Sequence, residues 1–103
     1  MEEKNYEMIM CVVNAGFTSE VMKVAHQKGV TGGTMLHARG TASQEAEKAF
    51  KLVVTPEKDM VIMAVRKEIT DEVLRALYEQ VGINTEAGGI AIALPITNQV
   101  GIK

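Results

Sequence analysis

The chain opens with a continuous apolar run, Tyr6 to Val13 (YEMIMCVV), followed by the turn signal Asn14-Ala15-Gly16. A run of this length bounded by turn residues predicts a buried strand. The period then changes. Val21, Val24 and Ala25 fall on one helical face, which predicts a helix capped at Thr18 or Ser19 and running to about Lys28. Gly29 stands where a helix end takes a positive φ. Thr34 to Arg39 (TMLHAR) reads as a second strand, with Thr34, Leu36 and Ala38 on one face and Met35, His37 and Arg39 on the other.

From Gly40 to Phe50 (GTASQEAEKAF) the chain turns polar, with helix formers from Gln44 onward. Thr41 and Gln44 have capping-box spacing, so a mobile, partly helical loop is expected. Lys51 to Thr55, Pro56 to Asp59 and Met60 to Val65 then read as strand, turn, strand. Asp71 to Val81 is the clearest helix, with Val73, Leu74, Leu77 and Val81 as its apolar stripe and Gly82 closing it. A Gly-rich turn, Thr85 to Gly89, leads into a last strand, Ile90 to Pro95; the tail from Ile96 has no period.

The order is β-α-β, a variable loop, then β-α-β. Such halves predict an α+β, ferredoxin-like βαββαβ fold: an antiparallel sheet with both helices on one face. The strands are nevertheless apolar on both faces, Met8 and Met10 against Ile9 and Cys11, Val61 and Met63 against Ile62 and Ala64. Something must bury the second face, and another subunit is the natural candidate.

Length and charge narrow the function. The 103 residues are expected to form one domain, 1–103, that gains stability from oligomerisation. A net charge of -2 with no Lys/Arg run argues against a nucleic-acid partner. The acidic, polar Met1 to Tyr6 is unlike a signal peptide, and no apolar stretch approaches the roughly 20 residues that span a bilayer. A cytoplasmic protein is expected.

Catalytic chemistry finds little purchase. The lone Cys11 lies in an apolar run and reads as a buried small hydrophobe. His26 and His37 have no nucleophile beside them in a motif, and the carboxylates Glu45, Glu47, Glu57 and Asp59 read as solvated loop and turn residues. Two histidines are too sparse for a metal centre. No enzyme, catalytic residue, metal or cofactor is expected. The glycines carry more. Gly32-Gly33, Gly40 and Gly88-Gly89 fall at strand ends, where backbone can approach a ligand and its N–H groups can form an anion nest; as ordinary turns they would imply nothing further.

Three stretches together resemble the PII signal-transduction superfamily, over nearly the whole chain. Gly29-Val30-Thr31-Gly32-Gly33-Thr34, with Arg39-Gly40, is similar to the entry to the second strand and the base of the T-loop. Asp71 to Val81 is similar to the second helix. Ala87-Gly88-Gly89 with the strand to Pro95 is similar to the B-loop and the strand after it. The resemblance implies a homotrimer that binds an adenine nucleotide (ATP, ADP or AMP) in clefts between subunits and signals through the T-loop to a partner such as a membrane transporter. By position it implies Thr31 and Gly32 near adenine and ribose, and Met63 against the base. Gly40, Thr41, Ala42 and Ser43 would form the T-loop base, and Ala87, Gly88 and Gly89 would line the phosphates. Several features depart from the family pattern. The T-loop is short and lacks a tyrosine, Ser43 and Ile90 replace an Arg and a Lys, and Arg39 and Lys103 are the cations left for a phosphate. Each lost charge-assisted hydrogen bond is worth about 1.5–3 kcal/mol, so poor affinity for ATP is expected, and a PII-like member recognising ADP, AMP or another adenine nucleotide rather than a standard nitrogen sensor. The alternative reading is a metal-linked trimer of the CutA type, which shares the architecture.

Overall fold

The computed structural model describes residues 5–41 and 56–102. β1 (Tyr6–Asn14) is followed by α1 (Thr18–Gln27), β2 (Thr34–Arg39), β3 (Glu57–Arg66), a 3-10 turn (Lys67–Ile69), α2 (Thr70–Val81) and β4 (Ile90–Pro95). The strands form one sheet in the order β2-β3-β1-β4, each pair antiparallel. Together with the two helices on one face, this is the ferredoxin-like α+β architecture. The strand expected over Lys51 to Thr55 and the partly helical loop lie outside the described residues. The turn expected at Pro56 to Asp59 is not a turn: β3 already begins at Glu57 and pairs Glu57 with Arg39.

Alternation along the strands fixes the two faces. Ile9, Cys11 and Val13 of β1 lie beside Val61, Met63 and Val65 of β3, all buried under α1 and α2. Val21, Val24 and Ala25 of α1 and Val73, Ala76, Leu77 and Val81 of α2 close that core. A fully buried aliphatic such as Leu77 or Ile9 contributes about 1.5–3 kcal/mol relative to exposure. Cys11 is buried here as expected, and desolvation pushes its thiol pKa up to about 11, which keeps it protonated and unreactive.

The opposite face is open and apolar. Met8, Met10 and Val12 register with Ala64, Ile62 and Met60 on one side and with Leu94, Ile92 and Ile90 on the other. Ile90 is 61% exposed and Ile92 48%. The two edge strands, β2 and β4, are likewise mostly exposed along their length.

The helix ends differ from expectation at the start of α1 and agree at its finish. Phe17 occupies the cap position without a side-chain hydrogen bond, so neither Thr18 nor Ser19 caps the helix; both lie inside it. At the other end Gly29 has φ 105°, its N–H donates to the His26 carbonyl, and the Val30 N–H reaches back to the Ala25 carbonyl. This is a Schellman end, sealed by contact between buried Ala25 and Val30. His26 adds a bond from Nδ1 to the Val30 carbonyl at 3.1 Å.

Candidate functional site

One end of the sheet gathers most of the glycine-bearing segments. The β2–β3 hairpin is closed there by the Gly40 N–H to the Pro56 carbonyl at 2.7 Å and by Arg39 Nη1 to Glu57 Oε1, also 2.7 Å. Lys58 lies with its stem across Gly40, where any side chain would press on the Lys58 methylenes. Its ammonium donates to Asn14 Oδ1 at 2.6 Å. Asn14 then holds the turn before β4: its Nδ2 donates to the Glu86 carbonyl and its backbone N–H to the Ala87 carbonyl. A short chain of contacts through Lys58 and Asn14 thus joins the hairpin base to the Gly88-Gly89 turn.

That turn is built for packing rather than for capturing an anion. The Gly89 N–H donates to the Val81 carbonyl at 2.7 Å and the Gly88 N–H to the Thr85 carbonyl at 3.0 Å. Both donors of the expected nest are spent within the subunit. A Cβ on Gly89 would run into the Val81 carbonyl, and one on Gly82 into the Tyr78 carbonyl. Gly89 is required by its close approach to the end of α2 and Gly82 by the last turn of α2 itself, while Gly88, at φ 57°, makes the turn.

The expected ligand residues separate into distinct groups. Arg39, Gly40, Thr41, Gly88 and Gly89 lie at this end. Thr31 and Gly32 are exposed before β2, at the opposite end of its six residues, which at about 3.3 Å per residue is a separation of roughly 17 Å. Beside Gly32, a mostly apolar cavity of about 400 Å³ opens on the uncovered face between Met8, Ile62, Ala64 and the tail residues Ile96 and Ile102. Two placements are corrected. Met63 is 1% exposed on the helix-covered face, so it fills the core and presents nothing to a ligand; its neighbours Ile62 and Ala64 point to the open side instead. Ala87 is buried too and takes part only through its backbone. Ala42, Ser43 and Lys103 lie outside the described residues.

The residue reading missed Asp59. It is 4% exposed, with Oδ2 accepting the Gly16 N–H at 3.0 Å and Oδ1 bonded to His37 Nδ1 at 2.8 Å. The Gly16 bond first, then the His37 bond, hold its carboxyl below the usual aspartate range. His37 is a mostly exposed cover over this carboxylate. Extending the alternation of Met60 to Val65 backward by one residue would have placed Asp59 on the face of Val61 and Met63; reading Pro56 to Asp59 as a turn hid it. Among the described residues no group of three or more His, Cys, Asp or Glu could hold a metal ion, and no helix is long and apolar enough to cross a membrane.

No family model and no curated protein matches the chain. Solved structures do. The chain superposes on B. subtilis GlnK, solved as an ATP complex, with a TM-score of 0.72 and 17% identity, covering 97% of this chain and 89% of that one. Arabidopsis thaliana PII bound to citrate gives 0.70 and 15%, covering 97% and 82%. CPII from Thiomonas intermedia, a nitrogen regulatory PII-like protein bound to ADP, AMP and bicarbonate, gives 0.69 and 15%, covering 94% and 96%. At these identities the likeness is one of fold: the chain has the PII-like ferredoxin fold.

Proposed function

We propose that this chain is a PII-like regulatory protein that binds an adenine nucleotide between subunits of a homotrimer and carries no catalytic activity of its own. The supporting observation is the placement of its ligand residues. Thr31 and Gly32 lie at one end of β2 and Arg39, Gly40 and Thr41 at the other, with the Gly88-Gly89 turn beside the second group. One subunit cannot close both around one small molecule, whereas neighbouring subunits in a ring can. The apolar open face supplies the reason to assemble. The solved neighbours of the same fold that carry ATP, or ADP and AMP, support the choice of ligand class.

In this reading the apolar cavity beside Gly32 receives the base, and the hairpin base of the next subunit meets the phosphate end. Occupancy favours one state of the Gly40 to Phe50 segment, which a partner such as a membrane transporter inside the cell then reads. The signal is a shift between loop states.

Calorimetric titration of the purified protein with ATP, ADP and AMP, with its mass measured by light scattering, tests this. Saturable binding by a trimer is expected; a monomer, or a trimer that binds none of them, would sink the reading. Gly32→Phe is the discriminating variant. Nothing within the subunit lies within 4 Å of a Cβ at Gly32, so the fold should tolerate the ring while the cleft is blocked. A loss of affinity of at least about tenfold is expected, which corresponds to 1.4 kcal/mol.

A further inference from the structure

β2 carries a row of soft donors on the helix-covered face of the sheet. Met35 and His37 register with Val61 and Asp59 of β3, both buried on that face. Alternation therefore sets Met35 and His37 side by side, with Cα atoms about 7 Å apart. Both reach past the cover of the helices: Met35 is 48% exposed and the His37 side chain 83%. One step back on the same face, Gly33 has no side chain, and Met22 Sδ of α1 sits 3.1 Å from where a Cβ would stand. Along the strand the row runs thioether, thioether, imidazole.

The His37 ring is already oriented. Its Nδ1 bonds Asp59 Oδ1 at 2.8 Å, while Asp59 Oδ2 is fixed by the Gly16 N–H at 3.0 Å. An ionised carboxylate only accepts, so Nδ1 carries the proton and Nε2 of the neutral ring keeps its lone pair. Nε2 has no hydrogen-bond partner among the described residues. An imidazole held by a carboxylate through one nitrogen, with the other bare, is the arrangement of metal-ligating histidines; the carboxylate sets the tautomer and raises the basicity of the ring.

We infer that Met35 Sδ and His37 Nε2 form a surface site for a soft monovalent metal ion of the Cu(I) class, one ion per subunit. Met35 is unbranched with three rotatable bonds and can turn its sulfur toward Nε2. A thioether beside an imidazole suits Cu(I), whereas divalent zinc asks for thiolates, carboxylates or several imidazoles. A low ionic charge fits as well. Arg39, next on the same face, opposes a divalent ion more than a monovalent one. The site faces away from Met8, Met10 and Val12, so assembly through the open face does not cover it, and it is independent of the nucleotide reading. Were His37 only a cover over Asp59, Met35 would have no part in it, and that is the difference the test reads.

The experiment is anaerobic titration of the full-length protein with Cu(I) against a chromogenic Cu(I) chelator. The parent is compared with Met35→Leu and His37→Gln, their folds checked by circular dichroism. Leu keeps the bulk of Met35 and removes the sulfur. The parent should take up one ion per subunit, and each variant should bind at least about tenfold more weakly. Ag(I), a redox-stable probe, should shift the Met35 methyl and His37 ring signals in nuclear magnetic resonance spectra of the parent and leave those of buried Cys11 in place. A parent that takes up no Cu(I), or affinity unaltered by Met35→Leu, would overturn the inference. So would Zn(II) bound more tightly than Cu(I), or Ag(I) shifts confined to Cys11 and the other methionines.

Discussion

Asp59 carries the clearest consequence at the scale of a single residue. Its carboxylate is stabilised in the folded chain by Gly16 and His37, so its folded pKa is lower than its unfolded one. The sign follows: the contribution is present in full above the unfolded value, about 3.9, and is lost as pH falls through the folded value. Asp59→Asn should therefore lower the melting temperature at neutral pH, with the gap to the parent closing below about pH 4. A gap that stays constant down to pH 3 would assign the effect to packing and not to charge. Residue-level reading found the inert Cys11 and placed Arg39 as the last residue of the second strand, because those follow from local composition and period. It misplaced Met63 because a position on a central strand says nothing about which face it uses until the sheet's pairing is known.

At the scale of elements, the periodic segments were legible and the segments held by long-range contacts were not. β2 was read to the residue because Gly33 and Gly40 bracket it, and α2 to within one because its apolar stripe is set by its own burial. The start of β3 was not, because Glu57 to Asp59 are polar and become strand only by pairing with β2. The end of α1 tests how much a local signal is worth. Gly29 sits at φ 105°, and a Cβ built on it would come no closer than 3.5 Å, to Ile69 Cδ1, so alanine there fits in space and pays only in backbone strain. Gly29→Ala should cost about 1–2 kcal/mol in urea unfolding. Leu77→Ala removes a buried side chain that joins α2 to the sheet and should cost about 2–5 kcal/mol by the same measurement. Gly89→Ala belongs with neither, because its Cβ meets the Val81 carbonyl; a stability unchanged from the parent would show that the Gly82–Gly89 bridge gives way without cost.

For the whole molecule the open face is decisive. Met10 lies at the centre of it, flanked by Ile62 and Ile92, and a charge there would stand in the middle of any interface that covers this surface. Met10→Lys should convert the proposed trimer to single subunits by light scattering while leaving the helical circular dichroism intact; an assembly of unchanged mass would mean that subunits meet elsewhere. This much of the assembly was visible in the doubly apolar strands, and the bounds of β2 already set Thr31 and Gly32 at one end of it and Arg39, Gly40 and Thr41 at the other. That division has a genetic consequence. In the proposed trimer, a variant defective at Gly32 and another defective at Thr41 would each spoil every cleft of their own ring. In a mixed ring, one boundary pairs the intact end of the first variant with the intact end of the second. Two inactive alleles expressed together should then complement each other, each mixed assembly recovering a single working site.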